Sequence, residues 1–155
     1  MDTIPLLPDF LDLLKFFNAE RVKYLVIGGM AVNYHGYHRS TGDLDVWVAI
    51  SPENQDRLAT ALTKFGFSAK SVAHRPLLEE KKFIRIGEQP VRVEIHGGIS
   101  GVEFDSCFAR AEICTIQGTE VPFISLRDLH TNKRAAARTK DQADLEALPE
   151  AESDD

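Results

Sequence analysis

The sequence predicts an α+β (α/β) fold, with helices and strands sharing one core in a single domain over residues 1–148. Three observations carry this expectation. Segments with apolar residues at helical spacing alternate along the chain with short runs in which every second residue is apolar. A strand-like run, KYLVI, passes directly into Gly28 and Gly29 and then into a stretch compatible with a helix. Two pairs of strand-like runs, near 82–96 and 112–124, are separated only by turn residues, as in hairpins.

Taken in order, Pro8 and Asp9 open an amphipathic helix marked by Phe10, Leu13, Leu14 and Phe17 and ending near Asn18. A strand over 23–27 and the glycine pair follow. The alternation over 44–50 predicts a second strand, with Leu44, Val46, Val48 and Ile50 on one face and Asp43, Asp45 and Trp47 on the other. Ser51 and Pro52 are an N-cap and first-turn pair for a helix whose stripe is Leu58, Leu62 and Phe65, stopped at Gly66. Beyond an irregular basic stretch over 73–82, strands are expected over 82–86, 91–96, 112–117 and 120–124. Ser125 and Asp128 have capping-box spacing and open a helix through 133–138, and Thr139 is expected to cap a last helix reaching Leu148. The acidic residues 149–155 are expected to be a disordered tail.

Bulk properties narrow the function. The chain has 155 residues, enough for one ordinary core. A formal charge of −6 argues against a broad nucleic-acid-binding surface, although Lys70, Arg75, Lys81, Lys82 and Arg85 form either a local basic patch or a solvated face. Apolar runs fall well short of the roughly 20 residues of a membrane span, and MDTIPLLPDF lacks a basic leader, so a cytoplasmic location with no membrane partner is expected. Cys107 and Cys114 lack metal-site spacing and are expected to be core or near-surface thiols.

Chemistry concentrates at Asp43 and Asp45. One residue apart on a strand, they aim both carboxylates to one side with Cα atoms roughly 6.5 Å apart. Either they are a solvated pair, or a hard cation such as Mg²⁺ or Mn²⁺ offsets their repulsion. Glu94 alternates with Val93 and Ile95 on a later strand and is the candidate third carboxylate for metal-assisted phosphoryl transfer. Gly28 and Gly29 sit where backbone N–H groups can meet a phosphate, or they form a tight turn without a ligand. Arg39 and Thr41 either hold phosphate oxygens or belong to an ordinary loop. Lys133 falls on the apolar face of its helix, where its charge either snorkels outward or meets a triphosphate or a buried acid. Asp141 shares a stripe with Leu145 and Leu148, with Asp144 beside it. A metal-dependent hydrolase with His35, His38 and His96 as ligands is a separate reading of the same chain.

In their order these residues resemble the nucleotidyltransferase superfamily that includes DNA polymerase β and kanamycin nucleotidyltransferase. The signature stretch is YLVIGGMAVNYHGYHRSTGDLDVWV over residues 24–48. Its glycine pair, and the later segment SLRDLHTNKRAAARTKDQADLEAL over 125–148, are similar to the abortive-infection and toxin–antitoxin branches. The resemblance implies a nucleotidyltransferase fold, a mixed twisted sheet of about five strands with helices packed on it. It further implies Mg²⁺ or Mn²⁺ held by Asp43, Asp45 and Glu94, and a nucleoside triphosphate seated by Gly28, Gly29, Arg39, Thr41, Lys133 and Asp141. The implied reaction is transfer of a nucleoside monophosphate to a hydroxyl of a protein, an RNA end or a small molecule. The other reading of the same fold is a nucleotide-binding or antitoxin-type partner-binding protein without turnover. The chain departs from the family pattern where Glu94 replaces the usual third Asp.

Overall fold

Short, largely buried apolar strands build the centre of the molecule, and a computed structural model of the chain describes it over residues 8–37, 42–68, 83–88 and 91–150. The strands are β1 (Tyr24–Ile27), β2 (Leu44–Val48), β3 (Phe83–Glu88), β4 (Val91–His96), β5 (Glu112–Ile116) and β6 (Thr119–Phe123). The helices are α1 (Pro8–Ala19), α2 (Gly28–Tyr34), α3 (Pro52–Phe65), α4 (Phe104–Ala109), α5 (Leu126–Ala136) and α6 (Thr139–Ala147). The basic stretch over 73–82 and the tail over 151–155 lie outside the described residues.

Among the described residues, six strands form one mixed sheet in the order β3-β4-β2-β1-β6-β5. This agrees with the expected mixed sheet of about five strands, and both hairpins join it, one at each edge. β1 runs antiparallel to β2 and parallel to β6, and β2 runs parallel to β4. All four residues of β1 are buried, as a central strand covered on both faces requires.

The two faces differ. Tyr24 and Val26 pair with Val48 and Val46, and this face looks onto α1, where Phe17 meets Tyr24 edge-on at 5.2 Å. α3 packs against α1 and adds Leu58 and Leu62, both fully buried. Burying such side chains contributes about 1.5–3 kcal/mol each. The opposite face carries Asp45 and Trp47, in register with Glu94 and His96 of β4. Trp47 is 1% exposed because Phe104 of α4 meets it edge-on at 5.2 Å, so this half of the face is covered. The Asp45 half opens into a cleft.

Local signals explain most boundaries. Ser51 Oγ accepts the Asn54 N–H at 3.3 Å, Pro52 starts α3, and Gly66 ends it at φ 128°. β2 stops at Val48 rather than at Ile50 because side chains of the first turn of α3 take the next carbonyls. Asn54 Nδ2 donates to Ala49 O at 2.8 Å and Gln55 Nε2 to Ile50 O at 2.7 Å. Ser125 Oγ accepts the Asp128 N–H at 3.1 Å and opens α5. Thr139 is not the cap of α6: the Asp141 carboxylate takes the Arg138 backbone N–H at 3.1 Å, so the cap position falls one residue earlier. The short α4 carries no helical stripe in the sequence and adds a helix to those expected.

Candidate nucleotide and metal site

Two elements of β-geometry bring the acids together. Asp45 and Glu94 are register partners across the parallel β2/β4 pair, which points both side chains to one face. Asp43 precedes β2 by one residue and lines the same cleft, a hollow of about 690 Å³ also walled by Gly28, Gly29, Arg92, His96, Lys133 and Arg138. Of the expected site residues, the structure thus gathers Gly28, Gly29, Asp43, Asp45, Glu94 and Lys133. Arg39, Thr41 and His38 lie outside the described residues.

Each carboxylate has a nitrogen-bearing side chain beside it. Arg92 Nε donates to Asp43 Oδ2 at 3.1 Å, and Arg85 donates to Glu94 Oε2 from Nη2 at 2.8 Å and from Nε at 3.2 Å. His96 Nε2 lies 3.3 Å from Asp45 Oδ1 and 3.7 Å from Glu94 Oε1. One oxygen of Asp45, one of Glu94 and one nitrogen of His96 fall within 4.8 Å of one another, close enough to share an ion. The oxygen-rich donors suit a hard divalent cation.

Gly28 explains how Asp45 is held. Its φ is 66°, and an added Cβ would overlap the Asp45 carboxylate and stand 2.9 Å from Asp45 Cβ. Glycine is therefore required both by the left-handed backbone and by the space the aspartate occupies.

The far wall is built by α5 and α6. Lys133 is 4% exposed, with Nζ 3.2 Å from Asp141 Oδ1 and 3.0 Å from Asp144 Oδ2. Its charge thus meets buried acids, and its side chain still borders the cleft. Asp141 itself is 1% exposed and sits behind the wall, where Arg138 donates to it from Nε at 2.7 Å and from Nη2 at 3.2 Å. Burial raises the Asp141 pKa, but the hydrogen bonds from Arg138 and Lys133 outweigh it and hold the carboxyl below its ordinary value. Asp141 reaches the cleft only through the two cations it fixes.

Of the three candidate histidine ligands, His38 lies outside the described residues, and among the described residues His35 and His96 keep separate partners. His35 Nε2 lies 2.7 Å from the Ile124 carbonyl oxygen, whereas His96 stands among the carboxylates. Sequence reasoning misses Arg92, Arg138 and the true partners of His96. A signal for two of them is present, since Arg92, Glu94 and His96 alternate along one strand and must share a face. Cys107 and Cys114 are both buried free thiols.

Comparison with known proteins agrees with this architecture. A family model described as nucleotidyl transferase of unknown function (DUF2204) matches residues 7–154. No protein of curated function matches the chain in sequence. The fold is similar to that of TM1012 from Thermotoga maritima, provisionally named a nucleotidyltransferase, at 16% identity and TM-score 0.63 over 91% of this chain and 92% of that one. It is similar to the lincosamide antibiotic adenylyltransferase LnuA, solved with lincomycin, at 14% identity and TM-score 0.54 over 95% and 98% of the two chains. It also resembles ANT(2")-Ia, solved with adenylyl-2"-tobramycin, at 13% identity and TM-score 0.53 over 89% and 84%. Among the described residues no helix is long and apolar enough to cross a membrane.

Proposed function

This chain belongs to the nucleotidyl transferase family just described, and from that membership we propose that it transfers a nucleoside monophosphate from a nucleoside triphosphate to a hydroxyl acceptor. The acceptor is a hydroxyl on a protein, an RNA end or a small molecule. The observation that carries this reading is the register pairing of Asp45 with Glu94, which adds a third carboxylate to Asp43 and Asp45 in one cleft. LnuA and ANT(2")-Ia, both adenylyl-transfer proteins by name or bound product, share the fold and lend it support.

Asp43, Asp45 and Glu94 would hold Mg²⁺ or Mn²⁺; oxygens of Asp45 and Glu94 lie close enough to share such an ion, and Asp43 lines the same cleft. When bound, the ion neutralises phosphate charge and lowers the proton affinity of an attacking hydroxyl. The chain's own residues supply position. Gly28 and Gly29 line the cleft without side chains, which lets a phosphate approach the backbone, and Arg39 and Thr41 would belong to the same phosphate-seating set. Lys133, fixed by Asp141 and Asp144, offers an ammonium that cannot swing away. Arg138, anchored to the same Asp141, adds a second cation at the wall. Such preorganised charges act without reorganising during reaction.

A non-catalytic nucleotide-binding or antitoxin-type protein is the second reading, favoured by Arg92 and Arg85 sitting directly on Asp43 and Glu94. Those pairs neutralise the acids within the protein. Incubation with triphosphates labelled on the α-phosphate, a divalent ion and cell lysate separates the readings. The transferase reading expects label on protein, RNA or a small molecule, reduced at least a hundredfold, about 2.7 kcal/mol, in Asp43→Asn/Asp45→Asn. Equal label from both proteins overturns it, and triphosphate binding without pyrophosphate release supports the second reading.

A further inference from the structure

His96 stands at the carboxylate cluster without an assigned part in the chemistry above. We propose that His96 is a ligand of the divalent ion, giving this chain a mixed nitrogen and oxygen site that selects Mn²⁺ over Mg²⁺. The inference rests on the metal-dependent reading of the same cleft.

Three independent contacts aim the donor atoms at one point. On one side, the Phe83 ring stacks on the His96 imidazole at 5.3 Å and 28°, which restricts its rotation. Nε2 then faces Asp45 Oδ1 at 3.3 Å and Glu94 Oε1 at 3.7 Å. On Glu94, Arg85 occupies Oε2 from both Nη2 and Nε and leaves Oε1 directed to the imidazole. Behind Asp45, Gly28 packs against Oδ2, so Oδ1 is the oxygen presented to His96. The strand ladder fixes the same arrangement from the backbone, because Asp45 pairs with Glu94 and Trp47 with His96 across β2 and β4.

The chemistry of such a set differs from that of carboxylates alone. Mg²⁺ keeps oxygen ligands and waters and gains little from an imidazole, whereas transition ions accept nitrogen readily. Mn²⁺ is compatible with both donors. A ligand set with one imidazole therefore raises Mn²⁺ affinity while leaving Mg²⁺ affinity almost unchanged.

Pulsed electron paramagnetic resonance of Mn²⁺ bound to the full chain, with equilibrium titrations of Mn²⁺ and Mg²⁺, tests this without any turnover. The wild type should show imidazole ¹⁴N couplings and bind Mn²⁺ at least tenfold more tightly than Mg²⁺. His96→Gln should lose those couplings and at least tenfold of Mn²⁺ affinity, with Mg²⁺ affinity changed less than threefold. The wild-type spectrum alone is decisive should the variant fold poorly. Mn²⁺ that binds, and is lost in Asp45→Asn, yet carries no ¹⁴N coupling overturns the His96 assignment and leaves the carboxylate site standing. Mn²⁺ that fails to bind, or binds equally in Asp43→Asn/Asp45→Asn, overturns both.

Discussion

Asp45 and Glu94 sit directly opposite each other in the parallel β2/β4 pair, and Arg85 closes on Glu94 from the antiparallel strand β3. The site is thus a property of strand register. A slip of one residue in β4 would send Glu94 to the apolar face now occupied by Val93 and Ile95, which are both fully buried. That cost to the core is what keeps the carboxylates together.

Gly28→Ala should weaken both the fold and the cleft. The left-handed backbone and the overlap with Asp45 together cost roughly 2–5 kcal/mol. Gly118→Ala is the control, with φ 81° but nothing within 4 Å of its added Cβ, and should cost only about 1–2 kcal/mol. Urea unfolding measures both, and titration with Mn²⁺ should show weaker binding in Gly28→Ala alone.

Lys133→Met removes the ammonium shared by Asp141 and Asp144, whose side chains are 1% and 3% exposed. Loss of one partner from a buried ionic cluster costs about 3–5 kcal/mol. Lys133→Met combined with Asp141→Asn and Asp144→Asn should recover part of that stability without restoring triphosphate binding. Denaturant midpoints and a nucleotide-binding titration together check it.

Much of this molecule is legible in its amino-acid order, and what is not legible has a common physical cause. The Asp43/Asp45 pair, the alternation around Glu94, and the inward Lys133 are local periodicities, so the sequence displays them. The partners are not local. Arg92 meets Asp43 across 49 positions, His96 meets Asp45 across 51, and only the strand register selects those pairs. Likewise Arg110 grips Asp128 from the turn after α4, a helix of six residues too short to display a stripe. Thr139 has the hydroxyl of a good cap, but the Asp141 carboxylate accepts the Arg138 N–H and the cap position falls at Arg138.

Stability should fall in acid through two buried carboxyls. For Asp128, burial raises the pKa, but bonds from Arg110 at 2.8 and 3.0 Å and from Ser125 at 3.0 Å outweigh it, and the net value lies below 3.8. Asp141 is also held below 3.8. A carboxyl whose folded pKa is depressed gives stability that is fully present above the unfolded value and vanishes as pH drops through the folded one. Urea midpoints should therefore be insensitive to these groups above about pH 5 and decline below about pH 4. Asp128→Asn should be less stable at pH 7 by about 1.5–3 kcal/mol and show a shallower acid decline.

The thiols should be inert in the native state. Burial pushes the Cys107 pKa up to about 12 and raises that of Cys114 as well. At pH 8 about one Cys107 in ten thousand is then thiolate, against roughly a quarter for an ordinary thiol. Labelling with a chromogenic disulfide should be slower in buffer than in urea by at least about a hundredfold.

Anomalous diffraction at the manganese edge, from crystals grown with Mn²⁺ and a non-hydrolysable triphosphate, addresses the convergence of the acids most directly. The expected peak lies within bonding distance of Asp45 and Glu94, with the triphosphate between Gly28 and Lys133. A peak bound elsewhere, or a triphosphate seated away from this cleft, would contradict the assignment.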